Sequence, residues 1–288
     1  MTPSLLASLL AVAAPILPGS LSLSQEPAIE FPEASPAATW KQRVGLTDVE
    51  VQYARPGAKG RKVFGGLVPY GEVWRTGANT STTITFSRDV KVEGQAVPAG
   101  AYALFSIPGE AEWTVILSKT TGAWGAYSYD AKNDLARVKV KPIALKDPVE
   151  TMTLELDELR GVSARFSILW EKTRVPVRIE TDLVAQLVPQ IEAAMAGAGQ
   201  KPYFAAAMFY YENDLDLKKA LAWMDEALKA QPGAVWMVYR KGLVQAKAGD
   251  KKGALASGEE ALALAKKAGG ALGDEYTHLA EALIASVK

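Results

Sequence analysis

The hydrophobic and polar positions of the chain follow two different periods. Between residues 38 and 180, apolar and polar residues alternate in short runs, as at Val49, Val51 and Tyr53. Two-residue alternation is typical of strands that bury one face. Turn-forming residues separate the runs and no long helical period interrupts them, so the pattern predicts an antiparallel β-sandwich or barrel. The other strand-like runs are 84–86, 90–92, 101–107, 113–118, 137–143, 151–156, 164–170 and 175–179.

The period lengthens to that of a helix in the segment 181–288. The first helical stretch, LVAQLVPQIEAAMAG, contains Pro189, which either kinks this helix or marks a late start. A last helix is expected over about 274–287. The fold class predicted for the whole chain is therefore α+β with two domains, an antiparallel β-sandwich or barrel followed by an α-helical hairpin array.

The helical segment contains an internal repeat. Ala220 and Ala227 recur 34 residues later as Ala254 and Ala261. This resembles the tetratricopeptide pattern, in which small residues lie where paired helices touch. The resemblance implies helical hairpins with a groove for a protein partner, although Gly258 departs from the pattern.

The first residues predict export. Residues 5–17, LLASLLAVAAPIL, form an apolar run too short for a typical membrane span, and Pro18 and Gly19 follow it. We expect a signal peptide over 1–24 and a linker over 25–37, with no stable membrane span after cleavage and a periplasmic or extracellular location. The alternative is an uncleaved membrane anchor.

Composition removes several classes of function. The 32 basic residues balance the 32 acidic ones, which disfavours nucleic acid as a partner. The absence of cysteine excludes disulfides and thiolate chemistry, and a single histidine, His278, leaves little material for an imidazole-based triad or metal centre. We therefore expect no cofactor and no metal site.

Three sequence blocks carry a family resemblance. The blocks are GRKVFGGLVPYGEVWRTGAN, VPAGAYALFSIPGEAEWTVILSK and WGAYSYDAKND, in that order. They resemble signature blocks of the domain of unknown function 2911 family over roughly residues 36–180. The resemblance implies an exported, β-rich protein of unassigned activity and supplies no catalytic residues.

The glycine-rich stretch 55–83 contains the residues most typical of a binding site, because long ordered loops on a β scaffold often carry function. Trp74, Arg75 and Asn79 together fit a ligand site in which an aromatic ring stacks while a guanidinium and an amide donate hydrogen bonds. A structural role is the favoured alternative, with a buried tryptophan, a neutralising arginine and an amide that caps a turn. Arg61 fits an anion site or a solvated basic loop.

A second group of residues lies in the segment TTGAWGAYSYD. Trp124 and Tyr129 fit a carbohydrate-binding face, because aromatic rings cover the CH groups of sugars. Alternating aromatic residues in a strand also occur as core or cross-strand pairs. The ligand-binding residues predicted from the sequence are thus Arg61, Trp74, Arg75, Asn79, Trp124 and Tyr129.

Two functions follow from these patterns. The first is an exported, non-catalytic binding protein whose β domain holds a small ligand, glycan or peptide. The second is a carboxylate-dependent hydrolase acting on envelope carbohydrate, which needs two acids about 5–10 Å apart. The acids available for it in the β segment are Glu72, Glu110, Glu112, Asp130 and Asp134.

Overall fold

The computed structural model describes residues 31–288, and in them two antiparallel sheets precede six helices. The predicted α+β architecture, with β structure first and helices second, is confirmed. The predicted signal peptide 1–24 and the first part of the linker lie outside the described residues. The strands are β1 (Ala37–Val44), β2 (Thr47–Ala54), β3 (Thr83–Phe86), β4 (Val90–Val92), β5 (Gln95–Val97), β6 (Gly100–Ile107), β7 (Trp113–Ser118), β8 (Asp134–Val140), β9 (Ile143–Asp157) and β10 (Ser163–Thr181).

One apolar core joins the two sheets. The first sheet has the order β1-β2-β3-β6-β7-β8 and the second β5-β4-β10-β9. Val49 and Val51 of the first sheet and Ile168 and Val175 of the second belong to the same buried cluster. Each strand gives alternate residues to this core, which is why the two-residue period is visible in the sequence.

β10 differs from the prediction. The runs 164–170 and 175–179 were expected as separate strands, but they form one strand of 19 residues. Its pairing with β9 shifts register on both sides of Glu171, whose φ is +51°. A β-bulge of this kind bends a strand without ending it. The bend lets the first part of β10 pair with β9 while its last residues, Ile179–Thr181, pair with β4.

The helices follow β10 with one intervening residue, Asp182, whose carboxylate accepts a hydrogen bond from Ala185 N at 2.9 Å and caps the first helix. Pro189 lies inside that helix. The helices are α1 (Leu183–Ala196), α2 (Tyr203–Glu212), α3 (Leu217–Ala230), α4 (Val235–Lys247), α5 (Lys251–Ala268) and α6 (Gly270–Val287).

The repeated small residues lie at helix contacts. Ala220 and Ala227 on α3, and Ala254 and Ala261 on α5, are all buried. α2 packs on α3 and α4 on α5, so the two repeats are two helix pairs. Membership of the tetratricopeptide class stays a prediction. Among the described helices, none has both the length and the apolar character needed to cross a bilayer.

Candidate functional site

The segment between β2 and β3, residues 55–82, is a long loop that backbone hydrogen bonds attach to both sheets. Ala58 N donates to Glu150 O at 2.8 Å, which joins the loop to β9. Trp74 N donates to Ser106 O at 2.8 Å and Ser106 N returns a bond to Trp74 O, which joins it to β6. These bonds satisfy backbone groups of the loop and attach it to strands of both sheets.

Trp74 is part of the core. Its side chain is 8% exposed, and its ring stacks on Trp170 with 5.8 Å between centroids. The edges of Phe64 and Trp113 complete this aromatic cluster, and Trp74 Nε1 donates to Gly77 O at 3.1 Å. The residue has the structural role that the sequence left open, and at the margin of the cluster it also forms part of a cavity wall.

A cavity of about 270 Å³ lies between the loop and the aromatic cluster. Its lining combines aromatic residues with charged ones, two of which are basic and one acidic. The lining residues used below are Arg61, Glu72, Trp74, Arg75 and Trp170. Trp170 belongs to β10 and was not among the predicted site residues, because no local pattern shows that it meets Trp74.

Arg75 is the unusual member of the lining. Its Nε atom is buried and has no hydrogen-bond partner among the described residues 31–288. A buried donor without an acceptor costs about 1–3 kcal/mol. A ligand atom that accepts this hydrogen bond would recover that free energy.

Arg61 is already fixed in place. Its Nε donates to Ala58 O at 2.9 Å and its Nη2 to Gly57 O at 2.7 Å. Both acceptors are neutral carbonyl groups, so these bonds orient the guanidinium and leave its charge uncompensated. The two arginines of the lining, less the single carboxylate of Glu72, leave one excess positive charge.

Asn79 holds three chain segments together. Its Nδ2 donates to Glu33 Oε2 at 2.7 Å and to Ser35 O at 3.3 Å, and its backbone carbonyl accepts from Gly125 N at 3.1 Å. The residue has φ +56°, a left-handed conformation that asparagine tolerates. Asn79 is not part of the cavity lining, and its hydrogen bonds connect neighbouring chain segments.

The two aromatic residues predicted in the 120–130 segment have opposite environments. Trp124 is 66% exposed, and the neighbouring Tyr127 is 90% exposed. Tyr129 instead packs on Phe105, with 5.1 Å between ring centroids. A bridge between Thr80 and Trp124 ties this exposed aromatic pair to the end of the 55–82 loop.

Tyr129 belongs to a hydrogen-bonded group. Its hydroxyl donates to Asp134 Oδ2 at 2.6 Å and accepts from Arg137 Nη1 at 2.7 Å. Burial and the adjacent Asp134 carboxylate raise the pKa of Tyr129 to about 12. These bonds occupy the polar end of the ring, so Trp124 and Tyr127 are the better-placed surface aromatics.

Three of the five acids considered for hydrolysis are bonded to neighbouring groups. Glu112 pairs with Lys139 at 2.7 Å, and Asp130 accepts from Lys132 N at 2.9 Å. Asp134 is bonded to Tyr129, and of the five only Glu72 lines the cavity. Within residues 31–288 no group of three or more acidic or histidine side chains is arranged to hold a metal ion.

Comparison with known proteins gives one match. A family model described as a protein of unknown function (DUF2911) matches residues 35–179. The matched range covers the strands, the 55–82 loop and the cavity lining, and it ends two residues before β10 does. No curated protein and no solved structure matches the chain.

Proposed function

The chain belongs to the DUF2911 family of proteins of unknown function, and we propose that it is an exported, non-catalytic binding protein whose β domain holds a small carboxylate-bearing ligand in the cavity beneath Trp74. The observation that carries this proposal is that Arg75 lines the cavity and that its buried Nε has no partner among the described residues.

The charges favour a carboxylate group on the ligand. A guanidinium presents its N–H groups in a planar fork that matches the two oxygens of a carboxylate. Arg75 supplies such a fork, and Arg61, whose Nε and Nη2 are bonded to backbone carbonyls, adds a second positive charge against one acid, Glu72. A monoanionic ligand brings the cavity close to neutrality.

The size and the walls favour a small ligand with an apolar face. Pockets for drug-sized molecules measure ~300–1,000 Å³, and this cavity, at about 270 Å³, lies just below that range. Trp74 and Trp170 offer ring surface to CH groups. The terminal residue of a peptide and a single uronic acid unit both have this chemistry.

Calorimetric titration of the full chain tests the proposal. The probes are N-acetyl-L-alanine and galacturonate, with N-acetyl-L-alaninamide and galactose as uncharged counterparts. We expect one acid to bind with a change in tryptophan fluorescence, and its counterpart to bind at least tenfold more weakly. Loss of a charge-assisted hydrogen bond costs about 1.5–3 kcal/mol, so Arg75→Gln should weaken binding about ten- to hundredfold.

The matched control is Arg160→Gln, which removes an exposed arginine outside the cavity lining. This variant should bind like the original chain. Absence of binding by both acids, or equal binding by the Arg75→Gln and Arg160→Gln variants, contradicts the proposal. Unchanged far-UV circular dichroism of Arg75→Gln shows that a loss of binding is not a loss of folding.

The exposed aromatic pair supports a glycan contact as a second part of the binding function. Trp124 and Tyr127 present open ring surface on a loop that is tied to Thr80. Affinity electrophoresis in gels containing soluble xylan should show retardation that Trp124→Ala abolishes. Trp236→Ala, which removes a tryptophan that is 39% exposed on α4, is the control and should be retarded normally. Equal mobility of all three proteins would refute this contact.

As the third part of the proposed function, the helical hairpins bind a protein partner. Trp236 on α4 and Leu272 on α6 are 39% and 45% exposed, so they offer apolar surface for such a contact. A photo-cross-linking residue at Trp236 should yield a discrete adduct in cells, whereas the same residue at exposed Ala222 on α3 should yield none. Equal labelling from both positions contradicts a defined partner surface.

A further inference from the structure

A second and larger cavity lies where the last strand passes into the first helix. This junction cleft, of about 470 Å³, is lined by β4 and β5, by the end of β10, by the first turn of α1 and by Asn213 at the end of α2. Its volume is within the ~300–1,000 Å³ of small-molecule sites, which occur preferentially where two domains meet. The lining residues of α1 and α2 lie beyond the range matched by the family model, so the cleft is a feature of this chain and not of the family domain alone.

Much of the cleft lining is apolar surface left open to solvent. Val162, in the turn between β9 and β10, is 42% exposed. Leu183 and Val184 of α1 are only half-buried, and α1 has no fully buried residue although its sequence is largely apolar. An apolar body placed here would remove this surface from water, which is favourable by roughly 25 cal/mol per Å².

The charged residues of the cleft are predominantly acidic. Asp89, Glu180 and Asp182 line it, against the single base Lys91. Glu180 pairs with Arg178 Nη2 at 2.8 Å, and Lys91 lies opposite Glu180 in the register of β4 and β10. Asp89 and Asp182 outnumber Lys91, the one base of the lining.

Those two aspartates are fixed by the backbone but not neutralised. Asp89 Oδ1 accepts from Ala99 N at 2.8 Å, and Asp182 Oδ1 accepts from Ala185 N at 2.9 Å. Each bond uses one carboxylate oxygen and leaves the negative charge in place. The cleft therefore combines apolar walls with two oriented carboxylates.

We propose that the junction cleft binds an amphiphilic cation, a molecule with one ammonium group on an apolar body. The ammonium lies near Asp89 and Asp182, and the apolar body covers Val162, Leu183 and Val184. This site is independent of the cavity beneath Trp74, because the two linings share no residue.

Titration of the full chain with three eight-carbon probes tests the proposal. The probes are octylammonium, octanol and octanoate, which share the apolar body and differ in charge. Octylammonium should bind most tightly and octanoate least, with at least a fivefold difference between them. Added sodium chloride should weaken octylammonium binding and leave octanol binding unchanged, because salt screens exposed charges.

Two variants locate the site, each with a matched control. Asp89→Asn keeps the acceptor for Ala99 N but removes the charge, and it should weaken octylammonium binding about two- to fivefold. Val162→Ser should weaken the binding of octylammonium and octanol alike. The controls are Asp147→Asn, which removes an exposed acid of β9, and Leu159→Ser, which removes a side chain 45% exposed in the same turn as Val162 but outside the lining.

Three results would overturn the proposal. In the first, octanoate or octanol binds as tightly as octylammonium. In the second, octylammonium does not bind. In the third, the Asp89→Asn and Val162→Ser variants bind octylammonium as tightly as their control variants do. An effect of Val162→Ser without one of Asp89→Asn overturns the assignment of a cation. Unchanged urea unfolding of each variant separates these results from a loss of folding.

Discussion

Replacement of Trp74 by alanine tests whether this residue holds the β core together. The side chain is 8% exposed and packs on Trp170, Phe64 and Trp113. A tryptophan buries roughly 150–250 Å², which at about 25 cal/mol per Å² corresponds to ~4–6 kcal/mol. Measured costs of truncating large aromatic core residues are about 3–5 kcal/mol. We therefore expect Trp74→Ala to lower the free energy of unfolding by about 4 kcal/mol.

Urea unfolding followed by tryptophan fluorescence is the appropriate assay. Of the seven tryptophans, Trp223 and Trp236 lie in the helices and the other five in the β domain, so the fluorescence signal reports mainly on the β core. Ellipticity at 222 nm reports mainly on the helices. With a slope of about 2 kcal/mol per M, the fluorescence midpoint should fall by about 2 M urea.

Trp124→Ala is the matched control, because the same residue type is removed from a site that is 66% exposed. Its midpoint should change by less than about 0.25 M, as is usual for surface substitutions. A core role for Trp74 is contradicted if Trp74→Ala shifts the midpoint by less than 0.5 M, or if Trp124→Ala shifts it as far as Trp74→Ala does.

Three further predictions concern other parts of the chain. Tyr129 has a pKa raised to about 12 by burial and by Asp134, so it stabilises the fold fully below the unfolded pKa of about 10 and loses this contribution as the pH rises towards 12; Tyr129→Phe should make the decline of the melting temperature over that window shallower. Gly273→Ala would place a Cβ 2.6 Å from Ala265 O, so the melting temperature followed at 222 nm should fall by several degrees despite the better helix propensity of alanine. Glu72→Gln removes the one acid of the cavity lining and should strengthen N-acetyl-L-alanine binding about two- to fivefold in calorimetry; weaker binding would refute the charge argument.

The sequence predicts strands well where one face of a strand is buried. Val49 and Val51 are fully buried between polar neighbours, so their alternation is visible without the structure. β1 was not predicted, because it is an edge strand in which half of the positions are exposed and only Trp40 is a large apolar residue. The continuity of β10 was also missed, because the bulge at Glu171 interrupts the period without ending the strand.

The site could be predicted only as far as the segment that contains it. Trp74 and Trp124 both lie in glycine-rich stretches, yet one is buried against Trp170 and the other exposed. Trp74 is buried because it meets a strand that lies almost a hundred residues further along the chain. Trp124 meets no such strand and stays exposed. Local sequence therefore identified the residue types and not their environments.

The distribution of acids decides how the cavity is best interpreted. Glycoside hydrolysis takes two carboxyl groups about 5–10 Å apart on either side of the bond that breaks. The cavity lining contains one, Glu72, while Asp130 caps a short helical turn and Asp134 is bonded to Tyr129. Besides that acid the lining contains two arginines, one of which has a buried donor without an acceptor among the described residues. An excess of arginines over acids is suited to hold an anionic group. For hydrolysis to proceed in this cavity, the ligand itself would have to supply the second carboxyl group. For this reason the proposal rests on binding, and its experiments measure affinity and not turnover.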